Sequence, residues 1–179
     1  MKKQGCFKSL LVFLFAVCSI EGVVASQLSI VDQDGKAVVN AVVAVSFIDP
    51  EDASTFALKL QDSVVVDQKE HQFLPQVSLI SPGQAIDFPN SDQTRHHVYS
   101  FSQSNPFEIK LYKNAPLNPI LFQQPGIVVL GCNIHDQMIG YIYVAQPNSW
   151  AKISNEKGKV EMPFNPENIK LGTVTLWHM

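Results

Sequence analysis

The stretch Gly131-Cys132-Asn133-Ile134-His135-Asp136-Gln137-Met138 decides how the rest of the sequence is interpreted. Its Cys, His and Met follow one another at intervals of three residues. Thiolate and thioether are soft metal ligands and imidazole is borderline, so the set favours copper over calcium or magnesium. Two His, one Cys and a weak axial Met are the ligands of mononuclear electron-transfer copper. The stretch therefore predicts three ligands of one mononuclear copper site, and a second His must come from elsewhere.

The first 25 residues have the pattern of a secretory signal peptide. Lysines precede an apolar run over residues 10–20, which is too short to span a bilayer comfortably. Small residues then lead up to Ser26, so we expect residues 1–25 to be cleaved off. A lipid anchor at Cys18 is disfavoured, because the residues just before it are poor neighbours for that processing. The mature chain is predicted to be periplasmic, with no membrane anchor.

Loss of the signal peptide would change the cysteine count. Cys6 and Cys18 would be removed, leaving Cys132 alone. Exported cysteines normally pair, so an odd one calls for an explanation. Metal ligation supplies one, because a coordinating thiol is held as thiolate. Two alternatives stay open: a free Cys packed as a small hydrophobe, and a zinc site, although structural zinc usually recruits two or more thiolates and no Met.

The mature sequence reads as β structure throughout. Short apolar runs alternate with Gly and Pro turns, and no stretch shows a long helical period. Residues 50–60 are ambiguous and could include a short helical turn. These features predict an all-β antiparallel sandwich or barrel. The predicted strands cover residues 28–31, 41–47, 64–66, 73–80, 85–88, 96–101, 107–112, 120–122, 127–130 and 140–144.

Composition argues against several classes of function. The sequence pI of about 5.9 leaves no basic patch, so nucleic acid is not an expected partner. The sequence shows no nucleophile with a base at motif spacing, no phosphate-binding Gly loop and no carboxylate dyad. We therefore predict that the protein is not an enzyme. The prediction of an electron-transfer copper site adds that it acts as a monomer with a transient redox protein partner.

Three motifs between residues 64 and 146 resemble those of the cupredoxins, or blue copper proteins. Residues 88–98, Phe-Pro-Asn-Ser-Asp-Gln-Thr-Arg-His-His-Val, are similar to the segment that bears the first copper His. Pro125-Gly126 followed by Cys132, His135 and Met138 resembles the second ligand loop, with the short spacing of amicyanin-like members. Residues 138–144 resemble the last strand. The double His and the Gly-Cys-Asn-Ile-His-Asp run are similar, more narrowly, to exported proteins labelled plastocyanin-like or methylamine-utilisation proteins.

The resemblance implies an eight-stranded Greek-key sandwich with one type 1 copper site. It implies one-electron transfer through the His135 edge, with Ile134 and Ile139 in a small docking patch. The alternative function is periplasmic copper storage, delivery or sensing. His71 and His178 are expected to be surface or partly packed residues rather than ligands. The implied ligands are three equatorial residues and an axial one, His96, Cys132, His135 and Met138.

The adjacent histidines give two choices for the remaining ligand. Strand alternation puts His97 on the same face as the aromatic side chains of Tyr99 and Phe101, nearer a predicted core. Spacing from Asn90, as in the family, favours His96 instead. We predict His96, because a one-residue β-bulge beside a metal site can re-aim the strand. His97 is the alternative ligand, or a partner that ties the two ligand loops together.

The chain is longer than one cupredoxin unit. Residues 63–147 are predicted to form the copper domain. Residues 26–62 and 148–179 resemble the two halves of a small transthyretin-like or carboxypeptidase-regulatory sandwich. The terminal segments therefore form either a split accessory β-sandwich or extra edge strands on a single sandwich.

Overall fold

The computed structural model describes residues 11–15, 26–60, 64–116 and 118–179, with the backbone alone for residues 11–15. These residues form strands and one short helix, so the all-β prediction is confirmed. The elements in chain order are β1 (Leu11–Phe15), β2 (Ser26–Val31), β3 (Val42–Phe47), α1 (Pro50–Phe56), β4 (Val64–Val65), β5 (Asp67–Lys69), β6 (Gln72–Leu74), β7 (Val77–Ile80), β8 (Gln84–Asp87), β9 (His96–Ser100), β10 (Phe107–Tyr112), β11 (Ile120–Phe122), β12 (Gly126–Cys132), β13 (His135–Val144), β14 (Ser149–Ile153), β15 (Lys159–Met162) and β16 (Leu171–Trp177).

The chain divides into two compact units. One consists of Met1–Phe56 with Trp150–Met179, and the other of Ala57–Ser149. In the first unit, β1, β2 and β15 form one sheet, and β14, β3 and β16 form another. Its core includes Ile30, Val43 and Trp150. That the terminal segments are a transthyretin-like accessory sandwich stays a prediction.

The predicted signal peptide is only partly described. Residues 1–10 and 16–25, including the predicted cleavage site, lie outside the described residues. The backbone of β1, within the predicted apolar run, pairs antiparallel with β2. No helix among the described parts of the chain is long and apolar enough to cross a membrane. Signal cleavage and export stay predictions.

The second unit is a β-sandwich. Its larger sheet has the strand order β10-β9-β12-β13-β7, its smaller sheet the order β11-β8-β4, and β5 pairs with β6 as a separate hairpin. The core between the sheets takes Ile86 and Phe122 from the smaller sheet and Val98, Leu130 and Ile142 from the larger. All five side chains are at most 1% exposed. Burying such side chains is the main favourable contribution to folding, and it fixes β9, β12 and β13, the three strands that carry the candidate site.

Two glycines let side chains lie close to the strands of the site. A Cβ at Gly131 would lie 2.8 Å from Cζ of Tyr99, and one at Gly140 would lie 2.9 Å from Cβ of Phe73. Real Cβ atoms do not approach so closely, so both positions require glycine, which has no side chain. Gly131 directly precedes Cys132, and thus the backbone of β12 passes beneath the Tyr99 ring just before the cysteine.

Candidate metal centre

Cys132 and His135 face each other across the turn of a β-hairpin. Cys132 ends β12, His135 begins β13, and the two residues pair in the register of the strands. A register shift follows Gly131, where the regular pairing with Ile139 ends. The sequence predicted one loop over residues 131–138, whereas the structure has only Asn133 and Ile134 between the strands. The hairpin backbone therefore places Cys132 and His135 opposite each other.

Three potential ligands converge at the end of this hairpin. Nδ1 of His96 lies 3.5 Å from Sγ of Cys132, and Nδ1 of His135 lies 3.6 Å from the same sulfur. One ligand atom from each of these residues lies within 4.8 Å of the others. His96 is fully buried, Cys132 is 3% exposed and His135 is half-buried. Such a set of donors can close around one metal ion from three sides.

Met138 adds a soft thioether to the same part of the unit. It is 2% exposed and belongs to the core cluster that contains Cys132. Two imidazole nitrogens, a thiolate and a thioether are the donors that mononuclear electron-transfer copper uses. His96, Cys132, His135 and Met138 are positioned to form a type 1 copper site.

His97 lies apart from these donors. Its Nε2 is 2.9 Å from Oε1 of Glu108, on the more exposed face of β9. The expectation that alternation places His97 nearer the core is wrong, because the aromatic side chains on this face do not enter the core: Tyr99 is half-buried and Phe101 is 85% exposed. The buried face carries His96. The register irregularity opposite His96 belongs to β10, between Ile109 and Tyr112, rather than to β9 itself.

The sequence offered the side chain of His97 as a link between the two ligand loops. In the structure the backbone of His97 makes this link. The carbonyl oxygen of His97 accepts a hydrogen bond from the N–H of Asn133 at 3.1 Å. Asn133 lies in the hairpin turn between the two other proposed ligands. The strand of the first His and the Cys-His turn are thus tied together whatever side chain stands at position 97.

Asp92 is a part of the site that sequence reasoning missed. One carboxylate oxygen, Oδ2, lies 2.8 Å from Nε2 of His96 and accepts the N–H of His71 at 3.1 Å. The other oxygen, Oδ1, accepts the N–H of Glu70 at 2.7 Å. Asn90, used above to choose between the histidines, holds this loop: its Oδ1 accepts the N–H of Asp92 at 3.0 Å, and its Nδ2 donates to the carbonyl of Thr94 at 2.9 Å.

His71 is exposed, as expected, but it also contacts the site. The centre of its ring lies 4.4 Å from that of His135 and 6.0 Å from that of His96. The one available signal in the sequence was the position of Glu70-His71 between two short β segments, which marks a turn. Nothing in that signal says that the turn reaches residues more than twenty positions further along the chain.

The surroundings lower the pKa values of both Asp92 and His135, but for different reasons. Burial raises the pKa of Asp92, but hydrogen bonds from the His71 backbone, the His96 side chain and the Glu70 backbone outweigh it and leave the pKa below its usual value. Asp92 is therefore ionised at neutral pH. Burial lowers the pKa of His135, and the neighbouring His71 and His96 lower it further. A neutral imidazole is the form that binds a metal ion.

An open cavity of about 580 Å³ borders the outer side of the site. It is lined by residues of the β5–β6 hairpin, including Glu70 and His71, and by His135, Asp136 and Met138 of β13. The candidate site is thus closed towards the core and approachable at its His135 side.

Comparison with solved structures finds copper proteins at low identity. A Cu-containing nitrite reductase from Thermus scotoductus SA-01 matches with a TM-score of 0.44 and 26% identity, over 56% of this chain and 27% of its own. A purple cupredoxin from Nitrosopumilus maritimus matches with a TM-score of 0.41 and 15% identity, over 48% of this chain and 100% of its own. Amicyanin from Paracoccus versutus matches with a TM-score of 0.40 and 19% identity, over 56% of this chain and 90% of its own.

These matches do not assign a function to this chain. No family model matches it, and no curated protein does. The chain spans about a quarter of the length of the nitrite reductase. The structural neighbours are cupredoxins. The narrower likeness to methylamine-utilisation proteins stays a prediction.

Proposed function

We propose that this protein binds one copper ion through His96, Cys132, His135 and Met138 and transfers single electrons. The observation that supports it is the approach of two imidazole nitrogens to within 3.6 Å of one buried thiol. When bound, copper would supply a one-electron couple between Cu(I) and Cu(II). The chain would supply soft donors in a fixed arrangement and exclude water from most of them.

Rigidity favours electron transfer over copper handling. Cys132 and His135 are paired backbone to backbone in a hairpin, and His96 lies fully buried on the adjacent strand. Donors held in this way keep their positions when the charge at the site changes. A protein that delivers copper needs ligands that can move apart to release the ion. It also tends to use several soft ligands for Cu(I), whereas this site has a single thiolate among four ligands.

The surface around His135 fits a brief encounter with a redox protein. Ile134 is 46% exposed and Ile139 is 42% exposed, and both flank residues of the site in sequence. Small contacts of this kind bury little area and dissociate readily, as repeated turnover requires. We propose a periplasmic monomer, exported by its signal peptide, that meets such a partner transiently. It would not be an enzyme and would not bind nucleic acid.

The test is to separate electron transfer from copper delivery in one experiment. The copper-loaded protein is mixed in a stopped-flow instrument with a small outer-sphere reductant, in the presence of a moderate Cu(I) chelator. Electron transfer predicts rapid bleaching of the visible band with copper retained by the protein. Rapid capture of Cu(I) by the chelator would contradict the proposal and support copper storage or delivery.

A further inference from the structure

The hairpin turn that carries His71 adopts an unusual backbone conformation for its sequence. β5 and β6 are joined by two residues only, since Lys69 pairs with Gln72. Those two, Glu70 and His71, have φ values of 54° and 57°. Turns with positive φ at both central residues strongly prefer Asn-Gly or Gly-Gly, because side chains disfavour that region. Strained residues of this kind persist where the surroundings hold them, and they cluster at functional sites.

The carboxylate of Asp92 holds this turn. It accepts the N–H of Glu70 on one oxygen and that of His71 on the other. Asp92 comes from the loop before β9, more than twenty residues further along the chain. A remote side chain thus fixes both strained residues, and the ring of His71 is set 4.4 Å from the ring of His135 as a result.

The same carboxylate determines which nitrogen of His96 carries a proton. An ionised carboxylate only accepts hydrogen bonds, so Nε2 of His96, 2.8 Å from Oδ2, must be the donor. In a neutral imidazole the other nitrogen then has a free lone pair. That nitrogen, Nδ1, is the one that lies 3.5 Å from Sγ of Cys132. Carboxylates that accept the far N–H of a ligand histidine fix its tautomer and orientation in many metal sites.

We propose that Asp92 is a positioning residue that presets both histidines of the site, His96 directly and His135 through the ring of His71. The inference rests on the proposed copper function, and it adds a residue outside the ligand set. It accounts for the turn without glycine at Glu70-His71, because this turn places the His71 ring 4.4 Å from the ring of His135.

The test compares Asp92→Ala with Asp136→Ala in the full chain. Both variants remove one negative charge, and both positions are close to the site, since Asp136 lines the adjoining cavity. Two-dimensional ¹⁵N NMR of the histidine rings in the metal-free protein reads the tautomer without any metal. Chelator competition then gives the copper affinity, and far-UV circular dichroism checks folding.

We expect His96 to be protonated at Nε2 in the parent protein and in Asp136→Ala. In Asp92→Ala this tautomer should give way to a mixture, and copper affinity should fall about 10–100-fold. Asp92→Asn provides a second variant that keeps the shape of the side chain and one acceptor oxygen, and it should show the same change to a smaller extent. His71→Ala should leave the His96 tautomer intact while altering the ring signals of His135.

Protonation of His96 at Nδ1 in the parent protein, or parental copper affinity in both Asp92 variants, would overturn the inference. The experiment distinguishes failure of the inference about Asp92 from failure of the proposed electron-transfer function. If the tautomer changes as expected while the copper-loaded protein lacks an intense visible band, Asp92 positions the histidines and the electron-transfer proposal fails. If the band is present and Asp92→Ala changes neither tautomer nor affinity, only the inference about Asp92 fails.

Discussion

Replacement of His97 by alanine should leave the copper site nearly intact. The His97 side chain interacts with Glu108, in a pair whose side chains are 18% and 54% exposed. Pairs this accessible to water are worth at most about 1 kcal/mol after screening, which corresponds to roughly a fivefold change in an equilibrium constant. The bond from the Asn133 N–H to the backbone carbonyl at position 97 does not need the imidazole. We therefore expect His97→Ala to keep its visible band and to lose less than about fivefold in copper affinity.

The assay is an absorption spectrum followed by chelator competition, with two companion variants. Glu108→Gln removes the charge of the partner and should behave like His97→Ala. His96→Ala removes a nitrogen that faces the Cys132 sulfur and should abolish the band, and added imidazole should restore it by filling the vacated position. A colourless His97→Ala protein beside a blue His96→Ala protein would refute the ligand assignment.

Three further changes test other parts of the account. Met138→Gln should lower the reduction potential, because a harder oxygen ligand favours Cu(II); voltammetry showing an unchanged or higher potential would exclude Met138 as axial ligand. Gly140→Ala should destabilise the second unit by about 1–3 kcal/mol, since the new Cβ would lie 2.9 Å from the Cβ of the fully buried Phe73. A urea unfolding midpoint equal to that of the parent protein would contradict this packing. Ile134→Lys should slow reduction by a protein partner but not by a small reductant, and equal slowing of both would argue against a docking role.

Much of the fold could be predicted because its signals are local. Apolar runs broken by Gly and Pro gave the strands of the sandwich, and β10 and β11 have the predicted bounds, residues 107–112 and 120–122. The hairpin that carries Cys132 and His135 was harder to predict. Apolar alternation is absent from residues 131–138, so the sequence indicated a loop where the structure has a two-residue turn and the start of β13.

The two histidines show where strand periodicity misleads. Periodicity identifies the buried face of a strand only when the exposed face is polar. In β9 the more exposed face carries the half-buried Tyr99, and the exposed Phe101 follows directly after the strand. The hydrophobic pattern therefore indicated the wrong side. Spacing from Asn90 indicated His96, and the side chain of Asn90 helps to hold the loop that leads into His96.

Asp92 and His71 could not be predicted from the sequence for a different reason. Their roles depend on hydrogen bonds and a ring contact between segments that meet only in the folded sandwich. An Asp in a loop rich in Asn and Ser, and a His in a turn, are ordinary features taken separately. Only the tertiary structure shows that the carboxylate joins a strained turn to a buried histidine.

The measurement that tests the central claim most directly is the optical and EPR spectrum of the copper-loaded mature protein. Copper bound by a buried thiolate, two imidazoles and a weak thioether would give an intense visible thiolate-to-copper band and a narrow copper hyperfine splitting. Cys132→Ser should lose the band and keep the parental circular dichroism, because it replaces one sulfur by oxygen and leaves the rest of the core around Cys132 unchanged. A colourless Cu(II) protein, or tight binding of zinc in preference to copper, would contradict the claim.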